Sequence, residues 1–147
     1  MKIYNTRKSL KILNEGGITE LEYVLNDERS LKYFKIYASR EYSVENIILF
    51  EEIQIYKTLD ENKRKIRSKQ MMEIFFQKDS IHEINTSNRF IKVLERRIKE
   101  EDFSIDLFDI VLYDVIQNNL MDTFSRFQIS ELHEEMKRKT QKKYFLF

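Results

Sequence analysis

Glu41-Tyr42-Ser43-Val44-Glu45-Asn46-Ile47-Ile48-Leu49-Phe50 joins the end of one amphipathic segment to the start of the most apolar segment of the chain. Ser43 is suited to cap a helix, because its hydroxyl can accept a bond from a backbone N–H left free in the first turn. Glu45 then sets a negative charge at the positive end of that helix. Beyond the cap, Val44, Ile47, Ile48, Leu49, Phe50, Ile53, Ile55, Tyr56 and Leu59 are apolar on too many sides for a helix with a broad wet face. This predicts a central, deeply buried helix, and its length disfavours a strand. Glu41, Tyr42 and Asn46 are left without a local explanation: Asn46 is a weak helix former in a first turn, and the other two precede the cap. A polar cluster at a loop-to-helix junction is where a rigid domain presents a binding surface, and it is equally what a loop facing water looks like.

Composition carries the same fold class to the whole chain. With no proline and two glycines in 147 residues there are few breakers for the many turns of a small β domain, so an all-α fold is expected. The length fits one domain with an ordinary core, and 41% apolar, 35% charged and 13% aromatic residues describe a globular chain with a heavily charged surface. Twenty-six basic and 25 acidic residues nearly cancel, so no global field points to nucleic acid. Without cysteine there is no disulfide, zinc-thiolate site or thiol nucleophile. No apolar run approaches a membrane span and the N terminus lacks a signal-peptide core, which together suggest a cytoplasmic protein.

Upstream of the junction, Met1 to Glu15 mixes basic and apolar residues and ends at Gly16-Gly17, a helix stop or boundary. Thr19 can cap a short helix carrying Leu21, Val24 and Leu25; Asn26-Asp27 breaks it, and Ser30 is expected to cap the next, which carries Leu31, Phe34, Tyr37 and Ala38. Downstream, Asp60-Glu61-Asn62 interrupts the apolar pattern. Lys63, Arg64, Lys65, Arg67 and Lys69 follow; they could meet phosphates or anionic lipid, but read better as a solvated helix face whose buried side is marked by Ile66. Met71-Met72 and Phe75-Phe76 read as core, and Gln77 to Glu83 as a loop. Asn85 or Thr86 can cap the helix of Phe90, Leu94 and Ile98, which Glu100-Glu101-Asp102 closes. Asp106 is expected to open a long helix bearing Phe108, Val111, Leu112 and Val115. Gln117-Asn118-Asn119 then replaces its apolar period with amides, which predicts a break near Asp122 and a short helix through Arg126 and Phe127 toward Leu132. A basic stretch with Lys142 and Lys143 precedes Tyr144-Phe145-Leu146-Phe147, which would dock on the domain or seek a membrane surface.

Catalytic constellations are absent from this pattern. The adjacent glycines form no phosphate loop, His82 and His133 stand in no metal or general-base motif and read as surface residues, and the many carboxylates are those of charged helices. No metal and no cofactor are implied.

The order of landmarks resembles the regulator of G-protein signalling (RGS) family from about Ile18 to Leu132. Leu21-Glu22-Tyr23-Val24-Leu25 and Leu31-Lys32-Tyr33-Phe34 are similar to its second and third helices, and the stretch from Glu41 to Phe50 to its most characteristic segment. Ile84-Asn85 resembles the loop between its fifth and sixth helices, Leu107-Phe108-Asp109 the start of its seventh, and Asp122-Thr123-Phe124-Ser125-Arg126-Phe127 its eighth. The resemblance implies about nine helices, with a central antiparallel four-helix bundle and a subdomain made by the terminal helices. It divides the chain into an extension over 1–17, an RGS-like domain over 18–132 and a basic, aromatic tail over 133–147.

It further implies a monomeric GTPase activator, itself no enzyme, that binds heterotrimeric G-protein α subunits and holds their switch segments in the transition-state conformation. Glu41, Tyr42, Ser43, Glu45 and Asn46 fall on the first contact patch, Asn85 on the amide that reaches the switch glutamine region, and Asn118, Asp122 and Arg126 on the third patch. Asn46 and Asn85 are the switch-stabilising pair. Departures are Asn118 where active members usually carry leucine, Phe50 where tryptophan is common, and Ser87 where an acidic residue often stands. The other implied roles are an adaptor of the same fold that docks a protein without activating a GTPase, and a scaffold recruited to the inner face of the plasma membrane by its basic tail.

Overall fold

Short polar side chains, Thr19, Asp27, Asp60 and Ser87, set four of the helix starts in the computed structural model, which describes residues 19–140. The Gly16-Gly17 boundary, the 1–17 extension and the terminal residues Lys142 to Phe147 lie outside the described residues. Among the described residues the chain is all-α, with eight α-helices, two π-helical turns and no strand. By contacts it divides into two compact units: Met1–Val44 with Leu120–Phe147, and the continuous run Glu45–Asn119.

The terminal unit contains α1 (Glu20–Asn26), α2 (Glu28–Arg40), α7 (Met121–Phe127) and α8 (Glu131–Thr140). Thr19 caps α1 as expected, its hydroxyl 3.1 Å from the Glu22 N–H. The cap of α2 is Asp27 rather than Ser30: its carboxylate accepts from the Ser30 N–H (3.0 Å) and hydroxyl (2.6 Å). One aspartate thus ends α1 and starts α2, and a charged acceptor serves the orphan N–H groups better than a hydroxyl would. Helix α2 packs on α1, α7 and α8. Its Phe34 ring lies stacked on Phe127 and edge-on to Phe124, both at 5.3 Å between centroids, and Leu21, Val24, Leu25, Ala38 and Met136 are also buried. His133, expected at the surface, is buried instead, edge-on to Phe127 and bonded through Nε2 to the Glu20 carboxylate.

The inner unit holds α3 (Glu45–Thr58), α4 (Glu61–Met71), π1 (Met72–Phe76), α5 (Asn88–Lys99), α6 (Asp109–Val115) and the turn π2 (Ile116–Leu120), whose last residue belongs to the terminal unit. Helix α3 packs on α4 and α6, and α5 on the same two. As its composition requires, α3 buries more than one face, with Ile47, Leu49, Phe50, Ile53 and Tyr56 all at 2% exposure or less. Phe50 sits in the core without strain on the pattern. Tyr56 turns edge-on to Phe108 and donates to the Ser104 carbonyl at 2.9 Å, and burial pushes its phenol up to about 12. Next to it Lys57, its side chain fully buried, reaches Asp109 at 2.5 Å.

Several local expectations are corrected here. Ile66 is 61% exposed, and the buried side of α4 runs through Ser68 and Met71, three residues apart on one face. Ser87, not Asn85 or Thr86, caps α5, accepting from the Arg89 N–H at 3.3 Å. Helix α6 begins at Asp109, because Asp106 lies in the preceding turn and accepts the Asp109 N–H through its carbonyl. The break expected near Asp122 is absent: the amide-rich residues form a π-turn that passes directly into α7, and Asp122 and Thr123 sit inside that helix. A widened turn absorbs weak helix formers without ending the helix.

Candidate functional site

In the terminal unit the site residues gather where α2 ends. Glu41 is the C-cap, the Tyr42 N–H bonds the Ser39 carbonyl (3.2 Å) and the Ser43 N–H reaches back to the Ala38 carbonyl (2.9 Å). This double closure puts the residue after the cap in the left-handed region, a place that favours glycine because it has no Cβ. Tyr42 occupies it, at φ 56° and 93% exposure. Below the turn, Arg126 of α7 donates through Nε to both Glu41 carboxylate oxygens at 3.0 Å and through Nη1 to Asp122 at 2.7 Å. The Tyr37 hydroxyl adds a second donor to Glu41 at 2.9 Å. Hydrogen bonding from Arg126 holds the Glu41 carboxyl below the ordinary carboxylate range, and the same bonds raise the guanidinium. Ser43 completes the group, its hydroxyl donating to the Ala38 carbonyl and accepting from Thr123.

In the inner unit Glu45 and Asn46 lie in the first turn of α3, Glu45 half-buried and Asn46 only 5% exposed. Asn85 is exposed in the irregular run that leads to α5. What joins the two asparagines is Asn119, whose Nδ2 donates to Asn46 Oδ1 and to the Asn85 carbonyl, both at 3.0 Å. Asn118 turns elsewhere, donating to Asp114 at 2.7 Å, and the other oxygen of Asp114 accepts the Thr86 hydroxyl at 2.6 Å.

Thus Glu41, Ser43, Asp122 and Arg126 come together around one turn, with Tyr42 projecting from it, and Asn46 and Asn85 come together around Asn119. Sequence reading missed Tyr37, Asp114 and Asn119. Tyr37 stands four residues before Glu41 on one helix face, a spacing at which side chains meet. Asn119 belonged to the amide run already noted, but its neighbour Asn118 held the position that the resemblance singled out. The chemistry available is donation, acceptance and fixed charge. Among the described residues no group of three or more histidines and carboxylates could hold a metal ion, and no helix is long and apolar enough to cross a membrane.

Comparison with known proteins adds two findings. Residues 20–136 match the family model of the Regulator of G protein signaling domain. Over 120 residues the chain is 30% identical to a Dictyostelium discoideum protein named probable inactive serine/threonine-protein kinase roco10, an alignment that covers 76% of this chain and 4% of that protein. The chain therefore spans a small fraction of that relative's length.

Proposed function

The chain belongs to the regulator of G protein signaling domain family, and on that premise we propose that it is a GTPase-activating protein for heterotrimeric G-protein α subunits. The observation that carries the reading is Tyr42: an aromatic side chain almost wholly in water, on a left-handed backbone, above a carboxylate-guanidinium frame built from two helices. Its left-handed backbone closes α2, but the exposure of the ring serves nothing in the fold. A partner surface that buries the ring supplies the missing compensation.

The activator contributes no attacking group. An α subunit carries its own arginine in cis, so acceleration requires only that the switch segments and the water-orienting glutamine be held in place. Tyr42 with Glu41, Ser43 and Glu45 forms the first contact, Asn46 and Asn85 hold backbone and side chain of the switches, and Asp122 meets switch I while Arg126 keeps the frame in shape. Asn85 suits that task because its exposed carboxamide can both donate and accept. Binding the transition-state conformation more tightly than the GTP ground state lowers the barrier, and each ~1.4 kcal/mol of difference is about tenfold in rate. The four helices α3 to α6 serve as the bundle that carries the inner contacts, and the protein works as a monomer at the cytoplasmic face where α subunits reside.

One observation favours an adaptor instead. Asn118 stands where active members usually carry leucine, and it is engaged with Asp114. Loss of an apolar contact there weakens or redirects α-subunit binding. Single-turnover GTP hydrolysis by a panel of α subunits, with the wild type, with Asn85→Ala and with neither, decides. Acceleration that Asn85→Ala removes upholds the activator. No acceleration and no binding to the aluminium-fluoride state of any α subunit overturns it in favour of the adaptor.

A further inference from the structure

We propose that Asn119 is a positioning residue: its side-chain amide fixes the orientation of Asn46 and the backbone of Asn85, and so sets the inner half of the partner surface. The inference rests on reading Asn46 and Asn85 as partner contacts, and its geometry stands apart from that reading. An amide nitrogen carries two hydrogens, and both are used here on acceptors remote in sequence, Asn46 Oδ1 and the Asn85 carbonyl. With its oxygen held, the Asn46 carboxamide cannot turn over without losing that bond. One end of the amide is thereby assigned.

The hold on Asn85 is stronger, because its neighbours are held too. The Ile84 N–H bonds the Phe75 carbonyl at 2.8 Å, and the Thr86 hydroxyl bonds Asp114. Three successive residues of an irregular run, with no helix or ladder of their own, are thus tied down from outside, while the Asn85 side chain stays exposed. A partner that engages it meets a group already ordered, and little freedom is lost on binding. Asn119 can make this reach from the π-turn Ile116–Leu120, a widened turn of the kind often found at functional sites.

Two substitutions separate positioning from space filling. Asn119→Ala removes both bonds. Asn119→Asp keeps the shape but sets a carboxylate against two acceptors, repelling the Asn85 carbonyl and forcing the Asn46 amide to turn over. A space-filling role makes the isosteric change the milder one; positioning makes it the worse. The expected losses of affinity for the aluminium-fluoride state of an α subunit are about fivefold for Asn119→Ala and roughly thirtyfold for Asn119→Asp. In the free protein the side-chain amide resonances of Asn46 should move in both variants while the far-UV circular dichroism spectrum stays that of the folded helical protein. Unmoved Asn46 resonances, or a milder Asn119→Asp, overturn the proposal. A wild type that engages no α subunit overturns the partner reading and with it the role in binding, whereas the Asn46 resonances still decide whether the clamp exists.

Discussion

Arg126 grips Glu41 across 85 residues of sequence, with Nε at 3.0 Å from both carboxylate oxygens. Because these bonds hold the Glu41 carboxyl below the ordinary range, its folded-state value lies under its unfolded one. The pair therefore adds stability that is present above the ordinary carboxylate range and lost as the pH falls through the folded value. Arg126→Gln should raise the Glu41 titration, followed by side-chain carboxyl NMR, and should weaken α-subunit binding roughly tenfold. An unmoved Glu41 titration would mean that the two side chains do not meet in solution.

Tyr42→Gly tests stability and function against each other. Glycine removes a left-handed strain of about 1 kcal/mol, so the melting temperature should rise by about 2–4 °C. Acceleration of GTP hydrolysis should fall sharply in the same variant. A variant that is neither more stable nor less active would leave Tyr42 an ordinary surface residue.

Asp109→Ala should be among the costliest changes in the inner unit. It leaves the Lys57 ammonium, whose side chain is fully buried, without its partner, at a cost of about 3–5 kcal/mol. Lys57→Met together with Asp109→Leu should recover most of that loss, since a buried ion pair often exchanges for apolar groups at little cost. Urea denaturation of both variants gives the comparison directly.

Acid should loosen the end of α5 in a defined window. Hydrogen bonds from Arg97 and then Ser104 lower the Asp102 carboxyl from 3.8 to about 2. The stabilisation is complete above about pH 4 and disappears as the pH falls toward 2. Melting temperatures measured across that range should fall less steeply for Asp102→Asn than for the wild type.

The class of fold was legible because helix breakers are nearly absent, and α3 was legible because its apolar residues leave no wet face. Other features depend on what the sequence pattern does not carry. Ile66 is apolar yet faces water, since the spacing of Ser68 and Met71 decides which side of α4 is buried. Asn26-Asp27 breaks the helix as its composition indicates, but nothing in the pattern showed that Asp27 rather than Ser30 would also cap the next. The amide run at 117–119 looked like an ending and is a π-turn, a geometry with no simple sequence period. At the site, resemblance singled out Glu41, Asn46 and Asn85, while Tyr37 and Asn119, which bond to them, emerged only from distances.

The division of the chain also dictates an order of assembly. The inner unit is one continuous run from Glu45 to Asn119, whereas α2 must find α7 and α8 across that whole intervening segment. Closing so long a loop is slow while the intervening chain is unfolded, and faster once it has compacted. During synthesis Glu45–Asn119 can collapse as soon as it leaves the ribosome, while Phe34 waits uncovered for Phe124 and Phe127. The face of α2 that carries Phe34 is then the last part of the terminal unit to be covered.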